Sequence, residues 1–178
     1  MIRRRGLRAT SVRELAKHSG APLGSTYHYF PGGKQQLAAE AVRFSGGTVS
    51  QVLRDDLEVG PRETVRALLE VWRQTLIKTE FRAGCPVLAV SIEEPEGDET
   101  RALAAAAEVF SGWEALLSES LRRHGADGAA AVRVATLVVA SVEGAIAMCR
   151  AQQSVEPLDR VASQLDSLVV AVTTGHAA

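Results

Sequence analysis

Between residues 25 and 34 the chain gathers side chains suited to recognition: Ser25, Thr26, Tyr27 and His28, then Tyr29-Phe30-Pro31-Gly32-Gly33-Lys34. Hydroxyls and an imidazole can donate to or accept from the edges of bases, and a lysine ammonium answers a phosphate. The surrounding charge agrees with that chemistry. Residues 1–43 carry Arg3, Arg4, Arg5, Arg8, Arg13, Lys17, Lys34 and Arg43 against Glu14 and Glu40, eight against two, or +6. The whole chain sums to -1, so the remainder holds -7. A basic module on an acidic body is what a reader of a polyanion needs, because Lys and Arg displace counterions from phosphate. The competing reading of the same charges is a solvated basic face.

Catalysis finds little support. There is no Gly-rich phosphate loop and no recognisable Ser/His/Asp or Cys/His arrangement, and the four histidines do not fall at ligand spacing, so neither an enzyme nor a metal site nor a cofactor is expected. Cys85 and Cys149 lie far apart with no CxxC pair, which reads as two reduced core thiols. The opening Met1-Ile2-Arg3-Arg4-Arg5-Gly6 lacks the apolar stretch of a signal peptide. The most apolar segment, residues 134–149, is short for a membrane span and contains Glu143, so a cytoplasmic protein without a membrane partner is expected.

The elements that must position the recognition residues are helices. Aromatics make up only 4% of the chain while Ala, Leu and Val abound, which favours an all-α fold. Thr10 or Ser11 caps a first helix, and Ser11-Val12-Arg13-Glu14 has capping-box spacing; that helix ends near Gly20. A second runs from Pro22 to Phe30 and stops at Pro31-Gly32-Gly33. Ala16 and Gly20 permit close helix contact and a left-handed turn between the two, the layout of a helix-turn-helix. A third helix, about Lys34 to Leu53, is expected to bury Leu37, Ala41 and Phe44.

The body opens at Gly60-Pro61 with a helix carrying Val65, Leu68, Leu69, Trp72 and Leu76. Cys85 to Ile92 suits a strand or a short helix by periodicity, and its helical surroundings favour the helix. After a loop spanning residues 94–99 a long helix reaches His124, with Leu103, Ala107, Phe110, Trp113, Leu117 and Leu121 turned inward and Gly125 as its stop. The helix from Asp127 to about Gln152 is apolar nearly all round, so it must be covered on several sides. In the last helix Leu158, Val161, Leu165, Leu168 and Val172 form an a/d-like seam. Together with Val138 these residues read as a homodimer interface, the alternative being an ordinary monomeric core.

The string Thr10-Ser11-Val12-Arg13-Glu14-Leu15-Ala16, then Gly20, then Ser25 to Lys34 resembles the DNA-binding signature of the TetR family of transcriptional regulators. Gly84-Cys85-Pro86-Val87 and Glu143-Gly144-Ala145 are similar to its LmrA/YxaF-like branch. The resemblance implies a helix-turn-helix over residues 1–45 and a helical ligand-binding and dimerisation domain over 46–178. Thr10 and Lys34 would bind phosphates of operator DNA, Tyr27 would press on the sugar-phosphate backbone, and Ser25, Thr26 and His28 would sit on the helix that enters the major groove. For Thr26 the alternative is the small core of the motif, and for His28 a solvated surface. A small hydrophobic or amphipathic effector would occupy a cavity lined by Trp72, Leu76, Phe110, Trp113, Val142, Glu143 and Met148. A carboxylate on so apolar a helix needs a partner, and three remain open for Glu143: a cationic or hydroxylated ligand, a buried arginine, or a hydrogen bond at a subunit interface. The chain departs from the family pattern at Leu23, where a basic or polar residue is common, and ahead of Gly6, where only Met1 to Arg5 stand for a full helix. The second departure leaves an alternative function in view, a dimeric helical module that binds a ligand or protein and no longer binds DNA.

Overall fold

The computed structural model describes residues 1–55, 57–94 and 100–175. In chain order its helices are α1 (Ile2–Arg5), α2 (Val12–Ser19), α3 (Leu23–Tyr29), α4 (Gly33–Asp55), α5 (Pro61–Lys78), α6 (Pro86–Ser91), α7 (Arg101–Arg123), α8 (Gly128–Gln152) and α9 (Glu156–Thr174). Among the described residues there is no strand, and Cys85 to Ile92 resolves in favour of a short helix. The loop expected at 94–99 falls, from residue 95 onward, outside the described residues.

Packing divides the chain into two compact units, one of Met1–Gly46 with Cys85–Val109 and one of Gly47–Gly84 with Phe110–Ala178. A single cut near residue 45 was expected; residues 85–109 instead join the N-terminal helices.

In the first unit α2 is built as its sequence dictates. Ser11 Oγ accepts the Glu14 N–H at 3.1 Å while Glu14 Oε2 accepts the Ser11 N–H at 3.2 Å, so each side chain satisfies the other residue's otherwise orphaned amide. Gly20 ends the helix at φ 71 and ψ 10, a left-handed conformation that costs any residue with a Cβ. α4 buries Gln35, Ala38, Ala39 and Val42, a face rotated from the one expected: Leu37 and Ala41 are half-buried and Phe44 is 82% exposed. Small side chains explain the rotation, because they let a neighbouring helix come close. At Gly46 a Cβ would stand 2.4 Å from Val109 of α7, so the contact is made by backbone rather than bulk. α7 shows the same effect in its first half, where Ala102, Ala105 and Ala106 are buried, Leu103 and Phe110 are half-buried and Ala107 is exposed.

In the second unit α5 buries Val65, Leu68, Leu69, Trp72 and Leu76, and α7 buries Trp113, Leu117 and Leu121, as their spacing requires. α8 begins at Asp127, whose Oδ1 accepts from Ala129 N–H at 2.8 Å and Ala130 N–H at 3.2 Å. By length and composition alone it could cross a membrane, contrary to the shorter span read from sequence; half of that apolar stretch is buried inside the chain, the situation of a core helix.

α9 packs on α8 and α5, which draws part of the expected dimer seam into the chain's own interior. Val138 is fully buried, and Leu158 and Leu165 are 2% and 3% exposed, so all three are consumed by the interior of one chain. Val161, Leu168 and Val172 are half-buried at the margin of the same contact. Charges fix the register of α9 on α5. Arg62 grips Asp166 with two hydrogen bonds of 2.7 Å, Arg66 adds a contact at 2.9 Å to the same carboxylate, and Arg73 pairs with Asp159 one heptad away.

The hydrogen bonds from Arg62, reinforced by the charges of Arg62 and Arg66, hold the Asp166 carboxyl below its ordinary range despite opposing desolvation. A depressed folded-state pKa contributes stability above the ordinary carboxylate range, and that contribution disappears as pH falls through the depressed value. Asp166→Asn is therefore expected to lower the melting temperature at neutral pH and to make the acid limb of a melting-temperature-against-pH curve shallower than in the parent. Parallel curves for the two proteins would show that the clamp contributes nothing.

Candidate functional site

The recognition residues sit on α3, a helix of seven residues. Its exposed face carries Ser25, Tyr27, His28 and Tyr29, with Tyr27 51% and Tyr29 72% exposed. His28 and Tyr29 meet edge to face with ring centroids 5.4 Å apart. Thr26 takes the other side: it is 8% exposed and its Oγ1 donates to Pro22 O at 3.2 Å. Of its two readings the packing one holds, and Thr26 is withdrawn from the set of base-reading candidates.

Thr10 is also corrected. It is 1% exposed, and its hydroxyl donates to Gly6 O at 2.7 Å, so it closes the loop ahead of α2 and does not face a phosphate. Lys34 is half-buried at the start of α4, with Nζ 3.4 Å from Arg8 O, and an ammonium has three N–H donors. Lys34 is thus brought to the Gly6–Thr10 loop, while Ser25, Tyr27 and His28 share the open face of α3.

Two features of this unit escaped the sequence reading. Tyr29 is the most exposed aromatic of α3, a position that follows from its place one residue beyond His28 once the helix phase is known. Arg3, Arg4 and Arg5 form, with Lys17 and His18 of α2, a cationic cleft that also includes Glu14. Burial, and after it the charges of Arg3, Arg4 and Arg5, push the Met1 amino group below its ordinary value. The short α1 that carries these arginines buries Ile2.

The loop between α1 and α2 has a further partner that no local pattern announces. Glu93, just after α6, accepts the Leu7 N–H at Oε1 and the Arg8 N–H at Oε2, each at 2.8 Å.

The second unit contains a small cavity of about 10 Å³, room for about one water, lined by Val49, Leu53, Leu68, Trp72, Trp113, Val139, Val142 and Glu143. Four of the seven expected effector contacts are here: Trp72, Trp113, Val142 and Glu143. The other three are not. Leu76 is fully buried elsewhere in the core, Phe110 is half-buried with its ring edge-to-face against Trp113 at 5.5 Å, and Met148 is 49% exposed. Met148 lies on the outer side of α8 because residues 142, 145, 146 and 149 already occupy the inner one. Glu143 is 5% exposed. Cys149 lies in the core, where burial pushes its thiol above the ordinary range and makes it a poor nucleophile.

Comparison with known proteins matches two stretches of the chain to two family models. Residues 1–41 match the family model for bacterial regulatory proteins of the tetR family, and residues 61–164 match the model described as transcriptional regulator LmrA/YxaF-like, C-terminal domain. The chain is 41% identical over 175 residues to an uncharacterized HTH-type transcriptional regulator of Mycobacterium tuberculosis, covering 96% of this chain and 89% of that one. It is 32% identical over 166 residues to the HTH-type transcriptional regulator LmrA of Bacillus subtilis, covering 92% and 88%. A TetR transcriptional regulator from Legionella pneumophila superposes with a TM-score of 0.81 at 18% identity over 93% of this chain and 89% of the other, which shows a shared fold.

If Thr10 is a structural tie, removing its hydroxyl is a stability lesion. Thr10→Val should destabilise the protein by about 1 kcal/mol, the scale of one intramolecular hydrogen bond, in a urea titration. Thr10→Ser should stay closer to the parent. An unchanged midpoint in Thr10→Val would return Thr10 to the list of ligand contacts.

Proposed function

Since the chain belongs to the TetR family of bacterial transcriptional regulators, in the branch of LmrA and YxaF, we propose that it is a cytoplasmic repressor that grips palindromic operator DNA as a homodimer and lets go when a small effector binds. The observation that carries this reading is the exposed face of α3: Ser25, Tyr27, His28 and Tyr29 stand outward from a module of net charge +6. In that arrangement Ser25 and His28 read base edges, Tyr27 and Tyr29 press on the backbone at the groove wall, and Lys34 together with the Arg3–Arg5 cleft supplies phosphate contacts. Non-enzymatic recognition is what the family and the side chains share.

The dimer surface is the outward side of α8. Leu137, Ala140, Gly144, Ala147 and Ala151 recur at intervals of three and four and are all exposed. Small residues at the centre of such a seam let two helices approach closely. This face differs from the seam of α9 expected from sequence, of which Leu158 and Leu165 are used within the chain and Val161, Leu168 and Val172 are half-buried. Two copies paired through α8 would each present one α3, and operator half-sites about 34 to 36 Å apart would match them.

The effector would enter the cavity between Trp72, Trp113 and Glu143. Its present volume of about 10 Å³ is far below the ~300 Å³ at which small-molecule pockets begin, so a hydrophobic or amphipathic ligand must open it by moving the surrounding helices. A ligand that prefers the widened state shifts the population away from the DNA-competent one. α4 contributes Val49 and Leu53 to this cavity and Lys34 to the other unit, a continuous helix with residues in both.

Two outcomes test the reading. Tyr27→Ala should weaken binding to a selected palindromic duplex by about tenfold or more in fluorescence anisotropy, with the melting temperature unchanged because the ring is half exposed; an unaltered affinity removes α3 from the interface. Gly144→Arg should yield a folded monomer in sedimentation, since a side chain at that position meets nothing within 4 Å in the single chain; a persistent dimer places the interface elsewhere.

A further inference from the structure

Glu93 and the Gly6–Thr10 loop are joined by a two-point contact. Both carboxylate oxygens are engaged, one by each of two consecutive backbone amides at 2.8 Å. The loop is shaped around them. Gly6 has φ +81, and a Cβ there would lie 2.0 Å from Glu93 Oε1, so only glycine lets the carboxylate in. Two more bonds close the loop on the far side, Thr10 Oγ1 to Gly6 O at 2.7 Å and Lys34 Nζ to Arg8 O at 3.4 Å. The stretch that leads into α2 is therefore held between Glu93 and α4, and α6 itself packs on α1.

We infer that Glu93 is the positioning residue that orients the DNA-reading helices, acting through the Leu7 and Arg8 amides, and thereby sets the angle at which each protomer offers α3 to its half-site. The inference rests on the operator reading proposed above. Three properties suit Glu93 to this role. Bonds from amides to a carboxylate are among the stronger hydrogen bonds, so the loop has one preferred position. The Arg8 bond is exposed and the Leu7 bond only partly buried, so water can replace the carboxylate when the loop is displaced, and the tie is releasable. The residues it joins are otherwise independent: Glu93 lies within the segment matched by the C-terminal family model, while Leu7 and Arg8 lie within the N-terminal one. Beside the packing of α6 on α1, Glu93 is thus a point where the effector-side sequence touches the reading head.

The test uses the full chain and the palindromic duplex that it selects from a random pool, together with duplexes whose half-sites are moved one base pair closer or farther apart. The parent protein should bind the altered spacings about tenfold more weakly than the selected one, the scale of one charge-assisted hydrogen bond. Glu93→Gln turns an amide donor toward one of the two N–H groups; it should bind the selected duplex more weakly yet distinguish the three spacings by less than about threefold. Gly6→Ala, which pushes the carboxylate aside, should reproduce the flattened profile. Equal weakening at all spacings would mean a stability role only and would overturn the assignment, as would an unchanged profile. Amide exchange in the parent protein gives an independent reading: Leu7 and Arg8 should be protected to the level of α2, and rapid exchange at both would also overturn it. If the parent selects no duplex at all, the operator reading fails and takes this inference with it.

Discussion

The recognition helices are too short to stand alone. α1, α2 and α3 have four, eight and seven residues, whereas isolated helices below roughly 12 to 15 residues are marginal in water because nucleation is costly. Their geometry is therefore imposed from outside: by the Ser11–Glu14 box, by the left-handed turn at Gly20, by Thr26 against the backbone of Pro22, and by the loop from Gly6 to Thr10. These ties are spent on the inner side of the motif. The outer side of α3 is left to Ser25, Tyr27, His28 and Tyr29, and a rigid platform with adaptable polar tips is what a DNA reader requires.

The second unit solves a different problem, how to arrange helices that are long and very apolar. α8 turns Val134, Val138, Val142, Ile146 and Cys149 into the chain, and shows Val132, Leu137 and Met148 to solvent. An exposed apolar helix face calls for a cover, which a second copy provides in the proposed assembly. Between the buried side of α8 and its neighbours lies the small cavity with two indoles and a carboxylate.

Much of this was legible from residues alone. Helix starts and stops were written in side chains that act over three or four positions: the Ser11 box, Asp127 at the start of α8, Pro61 at the start of α5, and the left-handed Gly20. The motif from Ser25 to Lys34 identified the reading helix. Which face of a helix points inward was less legible wherever alanine dominates, since bulk no longer marks the phase; Phe44 and Ala107 were assigned inward on that ground and lie outward. The seam on α9 was a real helix-packing signal, and Leu158 and Leu165 of it are buried within the same chain. Thr10 and Glu93 were beyond local reasoning, one because a hydroxyl suited to phosphate is equally suited to a carbonyl four residues back, the other because its partners lie 85 and 86 residues away.

The central claim is that two copies of the outward face of α3 enter successive major grooves. Methylation interference at guanine N7 on the selected palindromic duplex tests it most directly, because that atom lies in the major groove. The account predicts two patches of interference on one side of the duplex, separated by about 10 base pairs, one helical turn. A single patch, or patches on opposite sides of the duplex, would contradict it.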